Sequence, residues 1–222
     1  MVTRTKQAVL PDNFEGLIEH LGDVPLRRIR TYPPPGTATE ADVVAAEAQP
    51  RKRLCELIDG VLVEKAMGSK ESLIASVLVQ ILWNYLDKHD LGVVLGEGGM
   101  LRLFPGRVRI PDVSFVSWDR LPGGVFPDDP IAKIAPDLAI EVLSRGNTKR
   151  EIQLKLHDLF KAGTGLVWVI DPKTQTAEAY TAADEGFKVA KNGTLDGSTV
   201  LPGLRIALAD LFAKVKRRSK RR

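Results

Sequence analysis

Leu138-Ala-Ile-Glu-Val-Leu143 is apolar at every position but one. A run of this length and composition reads as a strand buried on both faces. Glu141 sits in its middle, where an ionised carboxylate is costly unless it is paired, protonated or bound to a metal. Upstream, Ile110-Pro-Asp-Val-Ser-Phe-Val116 sets a second acid, Asp112, at the mouth of another apolar strand. Two acids on two core strands form the donor set that a divalent cation needs. Lys155 adds a cation on the helix predicted directly after the Glu141 strand. This combination points to metal-dependent cleavage of phosphodiesters.

Each of these residues has a plainer reading. Asp112 could be a strand-opening aspartate that bonds nearby backbone amides. Glu141 could be paired with an arginine, Arg107 or Arg109. Lys155 follows Ile152 by three and precedes Leu156, so it borders the apolar stripe of its helix. There it could reach the strand ends, or snorkel along the helix flank. Glu71, in the first turn of a long helix, could be a third acid near the metal or a partner of the helix dipole. Glu56, at the start of the first core strand, competes for the same role. The three histidines lack metal-ligand spacing, and there is no Walker loop, nucleophile elbow or dinucleotide fingerprint.

The periodicity predicts the frame around these groups. Residues 1–50 read as an N-terminal arm, with short helices over 13–21 and 39–47 and a rigid Pro33-Pro-Pro-Gly36 between them. Glu56 to Glu64 reads as a hairpin about Asp59-Gly60. Ser69 is expected to cap a helix running to Lys88, on the spacing of Ile74, Val77, Leu78, Ile81 and Leu82. Strands are expected over 91–97, 100–104, 108–116, 138–143 and 166–170, with Gly96-Glu-Gly-Gly99 as a tight turn. Thr148-Lys-Arg-Glu151 reads as a capping box that opens the Lys155 helix, which Gly163 closes. A hairpin of 178–181 with 187–191 and a last helix over 208–213 complete the chain. The alternation argues for an α/β sandwich on a mixed sheet flanked by helices.

Composition narrows the partners. With 44% hydrophobic and 27% charged residues, the 222-residue chain reads as an ordinary globular protein. No apolar run approaches the roughly 20 residues of a membrane span. The first residues carry no apolar signal core, and Cys55 is the only cysteine, so a reducing cytoplasm is expected. The net charge of +4 is uneven: seven of the 32 basic residues lie in 213–222, leaving 25 against 28 acidic ones. The tail, 214–222, is either a solvated end or a source of attraction to phosphates.

The assembled stretches resemble the PD-(D/E)XK nuclease superfamily and, more closely, its Uma2 family of restriction endonucleases. They are Glu56-Leu-Ile-Asp-Gly60, Arg109-Ile-Pro-Asp-Val-Ser-Phe-Val116, Pro136-Asp-Leu-Ala-Ile-Glu-Val-Leu-Ser144, Lys155-Leu-His-Asp-Leu-Phe-Lys-Ala-Gly163 and Val167-Trp-Val-Ile-Asp-Pro172. The resemblance implies a restriction-endonuclease-like domain over 51–213. It implies Asp112 and Glu141 as ligands to Mg²⁺ or Mn²⁺, Glu71 or Glu56 as helpers, and DNA as substrate. The superfamily's lysine, two residues after the second acid, is Leu143 here, so the resemblance makes Lys155 its substitute. Lys155 would then orient the attacking water, and cleavage would leave a 5′-phosphate. Pro136-Asp137 is too close to Glu141 on the same strand to be the first acid. A homodimer is expected, since cutting two strands needs two sites. The rival reading is a non-catalytic module, binding nucleic acid or protein, on a degenerate nuclease fold.

Overall fold

A computed structural model describes residues 10–50 and 52–216. The chain opens with α1 (Phe14–His20) and α2 (Glu40–Ala48), then the hairpin β1 (Cys55–Ile58) and β2 (Val61–Glu64). The long helix α3 (Ser69–Leu86) leads to β3 (Gly92–Leu95), β4 (Leu101–Phe104), β5 (Arg107–Arg109) and β6 (Val113–Ser117). After β7 (Leu138–Val142), α4 (Lys149–Lys161) crosses to β8 (Leu166–Asp171). The antiparallel pair β9 (Thr176–Ala182) and β10 (Glu185–Val189) follows. A small ladder of β11 (Thr194–Asp196) and β12 (Arg205–Ala207) then precedes α5 (Leu208–Val215).

The strands form a six-stranded sheet in the order β10-β9-β8-β7-β6-β3 and a four-stranded sheet in the order β2-β1-β5-β4. In the larger sheet only β7 and β8 are parallel, joined through α4, so the sheet is mixed. Along β7, alternation sends Leu138, Ile140 and Val142 into a core shared with Ile74, Leu78 and Leu82 of α3 and Leu211 of α5. Ala139 joins Val167 and Val169 in a second core under Leu156 and Leu159 of α4. The sheet is therefore covered on both sides, and Glu141 belongs by alternation to the α4 side.

The strand expected over 108–116 is two strands in different sheets. β5 lies in the smaller sheet and β6 in the larger. Pro111, which has no N–H to give a ladder, stands at the crossing. The Ile110 amide turns to the Glu56 carboxylate at 3.1 Å, and the Asp112 amide bonds the Ile140 carbonyl at 3.0 Å. Asp112 thus lies at the seam between the sheets.

Two local expectations also change. The residue that caps α3 is Gly68, and Ser69 is already helical. At α4, the Thr148 hydroxyl accepts from the Glu151 amide, but the Glu151 carboxylate does not bond back to complete the box. It takes Arg28 instead. The turn Asp59-Gly60 has φ of 48° and 79°, the paired positive values that a two-residue hairpin loop uses. A side chain at Gly60 would also strike the backbone of Gly36, which donates to the Gly60 carbonyl at 2.8 Å.

Residues before the first strand pack on the body of the fold. Leu17, Leu21 and Val24 form a core with Ile58, Val61 and Val63. Arg28 is buried and spans three segments. It donates to the carbonyls of Glu64 (2.7 Å) and Gly146 (2.8 Å) and makes a two-point pair with Glu151 (2.6 and 2.9 Å). Removing one partner of such a pair strands a buried charge, so Arg28→Ala is expected to cost about 3 kcal/mol in urea unfolding. A loss under ~1 kcal/mol, the range of an exposed pair, would show that this contact is not a brace.

Candidate active site

Glu56, Glu141 and Lys155 meet between the two sheets and α4, and Asp112 lies near enough for its charge to act on Glu141. Glu56, Asp112, Glu141 and Lys155 are each at most 5% exposed. Lys155 reaches up from α4 and donates to Glu141 Oε2 at 3.0 Å, with Glu56 Oε1 at 3.2 Å. Glu141 is thus paired with this lysine, and Arg109 is engaged elsewhere. Arg109 links Glu56 (2.8 Å) to Asp158 (2.9 and 2.5 Å), and Arg107 extends the chain from Asp158 (3.4 Å) to Asp59 (2.9 Å). Asp112 accepts from the Val142 amide at 2.6 Å through one oxygen. Its other oxygen pairs with Lys65 at 2.9 Å. The amide contact of the plain reading of Asp112 is therefore present, and the structure adds a charge partner in Lys65.

Glu71 stands apart from this group. Its carboxylate lies against Gly68 at the start of its own helix, and it shares no hydrogen bond or ion pair with the other candidates. Among the described residues, no group of three or more acid, histidine or cysteine side chains is arranged to hold a metal. Pro136-Asp137 serves the frame: Asp137 accepts from the Ser117 amide (2.7 Å) and from Arg120 (2.6 Å).

Electrostatics separates the two buried glutamates. Burial pushes both carboxyl groups up. At Glu56, Lys155 and Arg109 together overcome burial and bring it down to about 2. At Glu141, burial prevails over Lys155, with the charges of Asp112 and Glu56 adding to it, and the carboxyl rises to about 7. Burial works against the Lys155 charge, but Glu141 and Glu56 outweigh it, so the ammonium is held above its usual range. The site therefore keeps a firm cation beside an acid that ionises near neutrality. Since Glu56 is depressed in the folded state, its stabilising contribution is full above about 4.5 and is lost as pH falls toward about 2. Thermal melts between pH 5 and pH 2 are expected to show this acid loss in the wild type and a flatter limb in Glu56→Gln. Parallel limbs would mean that another carboxylate drives the loss.

Lys65 and the Arg109–Asp158 link are not among the sequence candidates. A signal for Lys65 exists in the alternation Val61, Val63, Lys65, which puts it on the face of the hairpin that carries Glu56, because Glu56 stands opposite Val63. For Asp158 the signal is weaker, an acid three residues after Lys155 on the same helix.

A family model described as "Putative restriction endonuclease", Uma2, matches residues 40–209. The chain belongs to the Uma2 family. A solved structure from Anabaena variabilis, described as a "putative nuclease belonging to DUF820", is similar at 25% identity and a TM-score of 0.65. The match covers 73% of this chain and 92% of that one. No curated protein matches. The Uma2 match takes in β1, β5 to β8 and α4, and with them Glu56, Asp112, Glu141 and Lys155. In this member Leu143 follows Glu141 by two, and the lysine that touches the glutamate comes from α4. Among the described residues, no helix is long and apolar enough to cross a membrane.

Proposed function

We propose that this Uma2 protein is a Mg²⁺- or Mn²⁺-dependent endonuclease acting on DNA, with Asp112 and Glu141 as the metal-binding pair. The observation that carries the reading is the pair itself, one buried carboxylate at the mouth of β6 and one on the adjoining β7, with a lysine on Glu141. Their hard oxygens suit Mg²⁺, which takes one or two carboxylates and keeps waters and substrate oxygens for the rest. Glu141 Oε1 accepts no hydrogen bond from the described residues, and it is the oxygen that would meet such a cation. A bound cation would polarise a phosphate oxygen and acidify a water.

The chain's own residues do the rest. Lys155 donates to Glu141, pairs with Glu56, and would turn a remaining N–H to a water held in line with the phosphate. Glu56, fixed by Arg109 and the Ile110 amide, holds Lys155 in place rather than serving as a ligand. The site lies at the end of the sheet where β7 and β8 finish. Exposed Arg145, Lys149 and Lys173 follow these strands, and Lys70 joins them through the Pro172 carbonyl at 3.0 Å. This basic rim suits a phosphate backbone. We take residues 51–213 as the nuclease unit, acting as a homodimer in the reducing cytoplasm, where buried Cys55 stays a thiol. The basic tail beyond Lys216 lies outside the described residues. Its proposed role is attraction of DNA.

One observation favours the rival reading of a non-catalytic binding module: both acids already have lysine partners, so the ionic cluster is closed without a metal. Incubation of the purified protein with supercoiled plasmid decides between them. The nuclease reading expects nicked and linear DNA with Mg²⁺ or Mn²⁺ and none with chelator. Mn²⁺ that neither binds the protein nor supports cleavage would leave the binding module.

A further inference from the structure

Two buried ammonium groups flank the acid pair, and they are not held alike. Lys155 touches two carboxylates. Lys65 follows β2 out of the smaller sheet and crosses the seam. Its side chain is 2% exposed, with Nζ 2.9 Å from Asp112 Oδ1 and donating to the Glu97 carbonyl at 3.2 Å. Asp112 is its only carboxylate partner among the described residues. Glu97 belongs to the turn Gly96–Gly99 after β3, and its own carboxylate is engaged by Ser72 at 3.2 Å.

This difference has a consequence for any cation that enters between Asp112 and Glu141. Lys155 would lose Glu141 as a partner yet keep Glu56, so its charge would stay compensated. Lys65 would keep only a neutral carbonyl. A buried ammonium in that condition needs a new anion, and the anion that arrives with the substrate is a phosphate. We propose that Lys65 is a further substrate-contacting residue of the site: it neutralises Asp112 while no divalent cation is bound, then cedes that carboxylate to the cation and places its ammonium on a phosphate oxygen. The proposal rests on the nuclease reading above and adds the phosphate contact to it. Lys155 and Lys65 then divide the work, one held by Glu56 beside the water, the other on the phosphate. No covalent bond forms at Lys65, and it returns to Asp112 when the cation leaves.

The test uses the full chain with Lys65→Met and Lys65→Gln, and Mn²⁺ as the probe. Free Mn²⁺ is followed by electron paramagnetic resonance without DNA, and melting temperature is read with and without Mn²⁺. With a competing cation gone, Mn²⁺ is expected to bind either variant about tenfold more tightly than the wild type. It should also raise the variants' melting temperature by more. Single-turnover cleavage at saturating Mn²⁺ is expected to fall about 100-fold, as when one preorganised donor to a transition-state oxyanion is removed. Lys65→Arg should recover part of that rate. Unchanged or weaker Mn²⁺ binding in both variants would overturn the exchange, and an unchanged saturated rate would overturn the phosphate contact. If Lys65→Met does not fold, Lys65→Gln carries both measurements. A wild type that binds no Mn²⁺ and cuts no DNA defeats the nuclease reading itself. A wild type that cuts beside variants indistinguishable from it defeats only the role of Lys65.

Discussion

Asp112→Ala and Glu141→Ala are each expected to lower Mn²⁺-supported cleavage of plasmid DNA by at least about 10³-fold, since a lost metal ligand removes several kcal/mol of transition-state stabilisation. DNA affinity, measured without divalent metal, should hold or rise, because a negative charge has left a surface that faces phosphates. The two variants should differ in stability. Asp112→Ala strips Lys65 of its one carboxylate partner among the described residues and leaves an ammonium buried against a carbonyl. Glu141→Ala leaves Lys155 on Glu56, and it removes a carboxyl whose ionisation burial already opposes. Asp112→Ala should therefore melt well below Glu141→Ala. Cleavage by either variant at the wild-type rate would place the activity elsewhere. Equal stabilities would mean that Lys65 finds another partner.

The residues that sequence reading brings out best are those whose anomaly is local. Glu141 stands out because everything around it in Leu138–Val142 is apolar, and the structure buries every residue of that strand. The Asp59-Gly60 turn, α3 and the amphipathic face of α4 are likewise written in short-range periodicity. What periodicity cannot carry is a strand that changes partners. From Val108 to Val116 the chain alternates as one strand would, and only Pro111 hints that it passes from one sheet to the other. The partner of each buried charge is also a long-range property. The plain reading of Glu141 expected an arginine, and two arginines were indeed close in sequence to Asp112. The structure gives those arginines to Asp158, Glu56 and Asp59, and gives Glu141 the lysine from α4. Arg28 shows the same limit. Nothing near it in sequence marks it for burial, because its partner Glu151 is more than a hundred residues away. Residues 1–50 read as an arm for that reason, although Leu17 and Leu21 are built into the core with β1 and β2, and Arg28 is buried against Glu151 of α4.

Arg109 is where this long-range order is expected to be most costly to break. Its guanidinium is 2% exposed and serves two carboxylates at once, Glu56 at 2.8 Å and Asp158 at 2.5 Å. Arg109→Met would leave Glu56 dependent on Lys155 and the Ile110 amide, and Asp158 dependent on Arg107. The expected loss is about 3–5 kcal/mol, the range for breaking a buried pair from one side. In a chain of this size that lowers the melting temperature by roughly 10 °C. Arg109→Lys should recover little, because a single ammonium cannot present the fork that bridges both acids. The cause is stranded charge rather than lost volume, so removing the charge should relieve it. Glu56→Gln in the Arg109→Met background is expected to be more stable than Arg109→Met alone, although Glu56→Gln by itself is destabilising. That reversal of sign is the mark of direct coupling between the two side chains. Were the two losses simply to add, Arg109 and Glu56 would be acting independently, and the anchoring of Lys155 through Glu56 would have to come from the Ile110 amide alone.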